Sequence, residues 1–434
     1  MRVIADLHIH SKYSRATSEK MDIDEITRFA KIKGLNLVGT GDFTHPKWLQ
    51  ELKEKLVEVQ DADLYTFRKD PASQVYFIMT SEVSTIFTFE NEVKKIHHVI
   101  LTRNFETASQ INERLALHGN LSADGRPSLD MSAPQLVEEV MEVSRENVVF
   151  PSHVWTPWFS IFGAFSGFDH MEDCYQDMTK HIFALETGLS SDPPMNWRLS
   201  TLDKYTLVSN SDCHSSWPWR IGREANAFEL EQCTYSNVVD AIRSKDANRF
   251  KYTIETDPAY GKYHWTGHRN CKISLSPQEA IKFGNHCPVC NRRLTKGVEQ
   301  RVEELADRPL GFKPEGAIGY KHLLPLSEII ATVLGATYPG AKKIWDDYSI
   351  LVEKFDNEYT VLINAPKEEM AKIVDPKIAE AIVNVREEKV KVVPGYDGVY
   401  GQIILFEKGQ EEKEKREESP LHQQKRQQSL FDFM

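Results

Sequence analysis

Along the first 250 residues, short apolar runs rich in β-branched side chains alternate with segments whose apolar positions recur every three to four residues. The runs 2–9, 35–41, 75–82, 96–102, 147–152, 182–187 and 206–211 predict strands. The segments 22–34, 46–59, 106–118, 132–145 and 235–245 predict amphipathic helices. Such alternation predicts an α/β fold with parallel strands and outer helices; seven strands predict a barrel-like closure with its chemistry at the strand C-termini. Residues 320–406 predict a smaller mixed α/β domain. Within it Asp375-Pro376 reads as an N-cap and first-turn proline opening a helix to about Lys389, and VKVVPGYDGVYGQIILF reads as strand, turn, strand. Residues 407–426, dominated by Glu, Lys, Arg and Gln, predict a disordered linker.

The chain has 434 residues, 41% of them hydrophobic, enough for two or three cored domains. A formal net charge of −11 excludes a general polyanion binder, so any nucleic-acid surface must be local. No apolar run is long enough to span a bilayer, and the polar stretch HIHSKYSR near the start argues against a cleaved leader. An intracellular, soluble monomer is expected.

The predicted strand ends carry the candidate chemistry. His8 and His10 are two apart, so an extended backbone projects both imidazoles from one face. The following strands bring Asp42 and His45, then Glu82, then the adjacent His97 and His98, then His153, Glu186, and finally Asp212 and His214. Seven consecutive strands ending in His, Asp or Glu predict a multinuclear metal site for zinc, manganese, magnesium or iron. The role of Glu186 is left open. Paired cations would lower the pKa of a bound water to about 7 and arm it for in-line attack on phosphorus. Arg220 and Arg223 are candidates for gripping phosphate. The aromatic stretch VWTPWFSIFGAFSGF after His153, with Trp155 and Trp158, and Trp219 near Asp212 are candidates for stacking on a base.

These motifs resemble the polymerase-and-histidinol-phosphatase (PHP) family of metal-dependent phosphoesterases. The resemblance covers about residues 1–250 and rests on HIH, the Glu after the third strand, the isolated histidines and SDCH. It implies a distorted seven-stranded barrel with two or three divalent ions and Asp212, His8, His10 and Glu82 at the catalytic centre. It further implies His8, His10, Glu82 and Asp212 on one ion, and Glu82, His98 and His153 on a second. A third would take His214 with Asp42 or His45. The chain departs from the pattern in having Arg15 and Ala16 where many members have a His, and Asp42-Phe43-Thr44-His45 where many have Asp-His adjacent.

Residues 251–319 read as a separate module. Between 261 and 322 lie eleven Lys or Arg against six Asp or Glu. His268-Arg-Asn-Cys271 and His286-Cys287-Pro-Val-Cys290 predict one structural zinc on Cys271, Cys287 and Cys290, with His268 favoured over His286 as the fourth ligand. Arg292 and Arg293 are candidate DNA-phosphate contacts. The last eight residues, 427–434, resemble a sliding-clamp (PCNA)-binding box with Gln427, Leu430, Phe433 and Met434 at its key positions. Taken together, MRVIADLHIHSKYS, GTGDFTHP, GHRNC, CPVC, VEELADRP and GYDGVYGQI resemble the endonuclease Q family of archaeal DNA-repair enzymes. That resemblance implies cleavage 5′ of deaminated bases (hypoxanthine, uracil, xanthine) and abasic sites, leaving a 3′-hydroxyl and a 5′-phosphate. The competing readings are a PHP-type phosphomonoesterase acting on a small molecule and a non-catalytic clamp-bound scaffold.

Overall fold

A computed structural model describes residues 1–406 of the chain; the linker and the clamp box, including Gln427, Leu430, Phe433 and Met434, lie outside the described residues. The strands Arg2–Asp6, Leu37–Gly39 and Tyr76–Phe89 pair in parallel, joined by the helices Ile23–Lys33 and Pro46–Lys55. The first helix shows why these residues fold so. Asp22 accepts the Glu25 N–H at 3.1 Å as N-cap, Ile23, Ile26, Phe29 and Ala30 bury one face, and Gly34 ends it at φ 96°.

The mixed α/β class holds, but the sheet is not all parallel. Alternating β-branched and aromatic residues extend the third predicted strand to Phe89. It turns at Glu90-Asn91, both at positive φ, and returns antiparallel as Glu92–Thr102. Val148–Pro151 adds antiparallel to that return strand. Ala184–Glu186 and Thr206–Val208 form their own parallel pair. This pair is tied to its neighbours by a few backbone bonds: Val154 N–H to Glu186 O at 3.0 Å, and His10 N–H to Cys213 O at 3.0 Å with Asp212 N–H to His8 O at 2.9 Å. Six further segments were not expected as strands of this sheet, among them Ser128–Leu129 and Gly319–His322. Leu56–Val59 and Leu64–Phe67 form a hairpin on the third strand, and Ala225–Glu229 and Phe250–Glu255 add antiparallel beyond the first.

Gly319–His322 then pairs in parallel with Phe250–Glu255. Boundaries at 250 and 320 therefore cut through one sheet, and the zinc-knuckle segment is an excursion between two of its strands. Residues 326–386 are helical (Leu326–Val333, Lys342–Phe355, Glu358–Ile363, Lys367–Met370 and Pro376–Arg386), followed by the hairpin Lys391–Val393 with Gln402–Ile404. Asp375 caps the last helix by accepting the Lys377 N–H at 2.8 Å. This helical unit docks on the loop that follows Asp212. Buried Lys33 donates to Glu358 at 2.7 Å and to Pro218 O at 2.8 Å, and Tyr359 donates to Gly222 O.

Candidate metal centre

His8 and His10 follow the first strand and share a face. His8 Nε2 lies 3.6 Å from Glu82 Oε2 and 3.7 Å from Asp212 Oδ1. His10 Nε2 lies 3.2 Å and 3.0 Å from the same two oxygens. The other oxygen of Glu82 faces a second group, with His97 Nδ1 at 3.0 Å and His153 Nε2 at 3.1 Å. Two ligand sets therefore meet at one carboxylate: His8, His10, Glu82 and Asp212, and Glu82, His97 and His153.

The residues behind these sets fix their orientation. Glu186 accepts His8 Nδ1 at 3.0 Å on both oxygens, the Asn210 amide at 2.8 Å and the His153 N–H at 2.8 Å. Asp42 accepts His10 Nδ1 at 3.0 Å and the Ser11 N–H and hydroxyl, each at 2.6 Å. Carboxylates on both Nδ1 atoms leave both Nε2 atoms for a metal, the pattern of ligand histidines held by an outer carboxylate. The buried His8 Nε2 has no hydrogen-bond partner of its own. His and carboxylate donors at these separations suit a divalent ion in each set.

The electrostatics fit cation binding. Burial disfavours the charged carboxylates. Even so, His97, Arg126 and His8 hold Glu82 well below the usual range, and His10 and His8 do the same for Asp212. Burial likewise opposes charging His8 and His10, but Glu186 and Glu82 on one and Asp42 on the other raise both well above an ordinary histidine. Burial pushes His97 down to about 4, against the opposing pull of Glu82.

Several expected residues stand elsewhere. His98 does not face Glu82. It pairs across the ladder with Val83, whereas His97 pairs with Ser84 and so shares the Glu82 face. His98 instead sits 2.8 Å from the Tyr175 hydroxyl and 2.9 Å from Thr85 Oγ1. Among the described residues Asp42, His45 and His214 do not gather as expected for a third ion: Asp42 is committed to His10, Ser11 and Ser14. His45 stacks on Tyr13 at 4.4 Å, and His214 turns Nδ1 to Asp212 O at 3.0 Å. Arg223 is spent on Ser211 O at 2.9 Å and 3.2 Å, and Arg220 is half-buried, its pKa lowered to about 10 chiefly by desolvation. Trp155 is buried and donates to Asn196 Oδ1 at 2.8 Å, and Trp219 is buried against Trp217 and Trp345. Trp158 does reach solvent. It is 45% exposed and stacks on Phe165, itself 48% exposed, at 4.9 Å. Arg126 was not singled out in the sequence, yet its guanidinium lies 3.1 Å from Glu82 Oε2; nothing in the local sequence marks this loop position.

The knuckle segment brings His268, Cys271, Cys287 and Cys290 together, with Cys290 Sγ 3.4 Å from His268 Nδ1. His286 is outside the group and bonds Gly284 O at 2.7 Å. Arg292 and Arg293 beside it are exposed. Arg301, from the helix that follows, holds the aromatic loop through Phe162 O and Phe168 O, each at 3.2 Å.

Residues 325–389 match the MJ0043 C-terminal domain family. The uncharacterized protein MJ0043 of Methanocaldococcus jannaschii is 34% identical over 256 residues, 57% of this chain and 31% of that protein, so the chain spans about a third of that relative's length. The uncharacterized protein YqxK of Bacillus subtilis is 26% identical over 93% of this chain and 99% of its own. The crystal structure of the lesion-specific endonuclease PfuEndoQ from Pyrococcus furiosus superposes with a TM-score of 0.83 at 34% identity, covering 93% of this chain and 95% of that one. Endonuclease Q in complex with a 27-mer duplex substrate carrying an abasic lesion at the active site superposes with a TM-score of 0.82 at 34% identity, covering 94% of this chain and 97% of that one. Agreement over more than 90% of both chains, rather than over one domain, places this chain in the endonuclease Q family.

Proposed function

We propose that this protein is a metal-dependent DNA-repair endonuclease. It hydrolyses the phosphodiester bond 5′ of deaminated bases and abasic sites, leaving a 3′-hydroxyl and a 5′-phosphate. The observation that carries this reading is a pair of ligand sets joined at Glu82, in a chain that matches endonuclease Q over 93% and 94% of its length in two structures. His8, His10, Glu82 and Asp212 would hold one cation, and Glu82, His97 and His153 a second. Bound there, the cations supply Lewis acidity and an activated water. Glu186 and Asp42 fix the imidazoles that aim at them, and Glu82 sets the spacing between the two positions by presenting one oxygen to each.

The stacked, exposed pair Trp158 and Phe165 lies on the loop that follows His153 and suits an unstacked base. The knuckle module would hold a structural zinc on His268, Cys271, Cys287 and Cys290, and present Arg292 and Arg293 to the DNA backbone. The C-terminal box would bind a sliding clamp, and deleting residues 427–434 should abolish clamp stimulation while basal nicking persists.

The test is a labelled duplex with one deoxyinosine, uracil or abasic site, incubated with Mg2+, Mn2+ or Zn2+. A nick immediately 5′ of the lesion, lost in Asp212→Ala and His8→Ala, is expected. Absence of a nick with every lesion and metal refutes the reading, as does a nick that survives both substitutions.

A further inference from the structure

The cation that faces the metal centre is neither Arg220 nor Arg223 but Arg126. Its Nη1 lies 3.1 Å from Glu82 Oε2, the oxygen that also faces His8 and His10. Its side chain is 27% exposed, so it borders the buried ligand set on one side and solvent on the other. Among the described residues Glu82 is the acceptor its guanidinium meets, which leaves its other N–H groups for a ligand.

The loop that carries Arg126 is fastened to the site. Gly125 donates to Tyr13 O at 3.0 Å, Thr44 donates to Gly125 O at 3.3 Å, and the Arg126 N–H is held by Asp124 at 3.1 Å. Pro127 O accepts the Ser84 N–H at 2.9 Å, two residues beyond Glu82 on the same strand. A Cβ at Gly125 would come within 2.3 Å of both Asp42 Oδ2 and Ser14 Oγ, the groups that steady His10. The backbone before Arg126 thus rests directly against the shell that holds a ligand histidine, and the guanidinium is placed to within a side chain's freedom.

On the reading given under Proposed function, we propose that Arg126 is the phosphate clamp of the reaction: its guanidinium binds a non-bridging oxygen of the phosphate to be cut. Cations shared with Glu82 would take up the charge that now pairs with Arg126. The freed planar donor fork would then point to the place where a phosphoryl oxygen must lie. A residue that only neutralised Glu82 would need no solvent-facing edge.

The test uses the full chain in Ca2+ and a fluorescent duplex with one deoxyinosine, carrying either the native phosphate or a neutral methylphosphonate 5′ of the lesion. Anisotropy should show the wild type binding the native duplex about ten- to a hundred-fold more tightly than the methylphosphonate, the range of a charge-assisted hydrogen bond. Arg126→Gln should lose most of that preference, keeping only the share the cations contribute, and Arg126→Lys should restore part of it. Calorimetric Mn2+ uptake should be kept in both variants. If Arg126→Gln discriminates as the wild type does, or either variant loses Mn2+ uptake, the clamp assignment is overturned while lesion nicking by the wild type still stands. If the wild type neither binds nor nicks the deoxyinosine duplex, the functional reading fails, and this one with it.

Discussion

Glu186 touches no expected substrate position, yet it should govern metal affinity. Its two oxygens accept His8 Nδ1, and each also takes one further donor: the Asn210 amide on Oε1 at 2.8 Å and the His153 N–H on Oε2 at 2.8 Å. In Glu186→Gln one oxygen becomes an NH2 group. Whichever way the amide turns, a donor then faces a donor, either Asn210 or His153. One charge-assisted bond is lost, worth about 1.5–3 kcal/mol, and a buried N–H is stranded. The His8 ring is no longer held with Nε2 aimed at Glu82 and Asp212. Changes of this kind behind ligand histidines weaken metal binding by about 10–100-fold, or about 1.4–2.7 kcal/mol. Calorimetric titration of Mn2+ into the metal-depleted variant should show that loss. Nicking should recover as Mn2+ is raised, because every direct ligand remains. Wild-type affinity in a folded Glu186→Gln protein would refute the argument, and so would a defect that no metal concentration repairs.

His97→Ala should abolish one equivalent of metal uptake, whereas His98→Ala should leave uptake intact and cost about 1–3 kcal/mol in urea unfolding by stranding the buried Tyr175 hydroxyl. Cys290→Ser should remove one zinc per chain by elemental analysis and loosen the knuckle segment to proteolysis; full zinc content in that variant would count against the four-residue site. Glu224 and Glu255 are buried together around the Ser209 hydroxyl, and burial raises both pKa values. The folded state then keeps protons that the unfolded chain releases above the ordinary carboxylate range. Stability should fall as pH rises through 5 to 8, by up to about 1.4 kcal/mol per unit for each such group. Glu224→Gln should flatten that slope in urea midpoints, and an unchanged slope would reject the linkage.

The ligand-bearing strands were legible because their signal is local. The strands before His8, His153 and Asp212 are short apolar runs that end near an ionisable side chain, and His8 and His10 needed only the two-residue repeat of a strand. The choice between His97 and His98 was not legible. It depends on which of two opposite faces looks inward, and that is set by the pairing of Ser84 with His97 across a hairpin that parallel-strand reasoning did not include. Arg126 was invisible for another reason. It reaches Glu82 from a loop held by Tyr13, Thr44 and Asp124, contacts that span up to 112 residues and leave no periodic trace. Trp155 and Trp219 misled in the opposite direction. Aromaticity is equally compatible with contact and with core, and burial, which sequence does not display, decided for core.

That burial gives the helical unit a part in the site even though it supplies none of the ligands. Asp212 stands at φ 46°, in the left-handed region, at the head of a loop that is held from outside. Arg223 grips Ser211 O, Asp6 accepts the Ser211 and Gly222 N–H groups, and Trp217 and Trp219 stack on each other and against Trp345 of the helical unit. Glu358 ties the unit to Lys33 while accepting the Leu326 N–H and the Tyr348 hydroxyl, so the buried charge is fully partnered. The helices thus brace the segment from Ser211 to Gly222 from behind, while the ligands face forward. A chain cut before residue 320 would keep every expected ligand yet lose the surface that holds Asp212 in place, which is why helices without chemistry of their own belong to the metal centre's architecture.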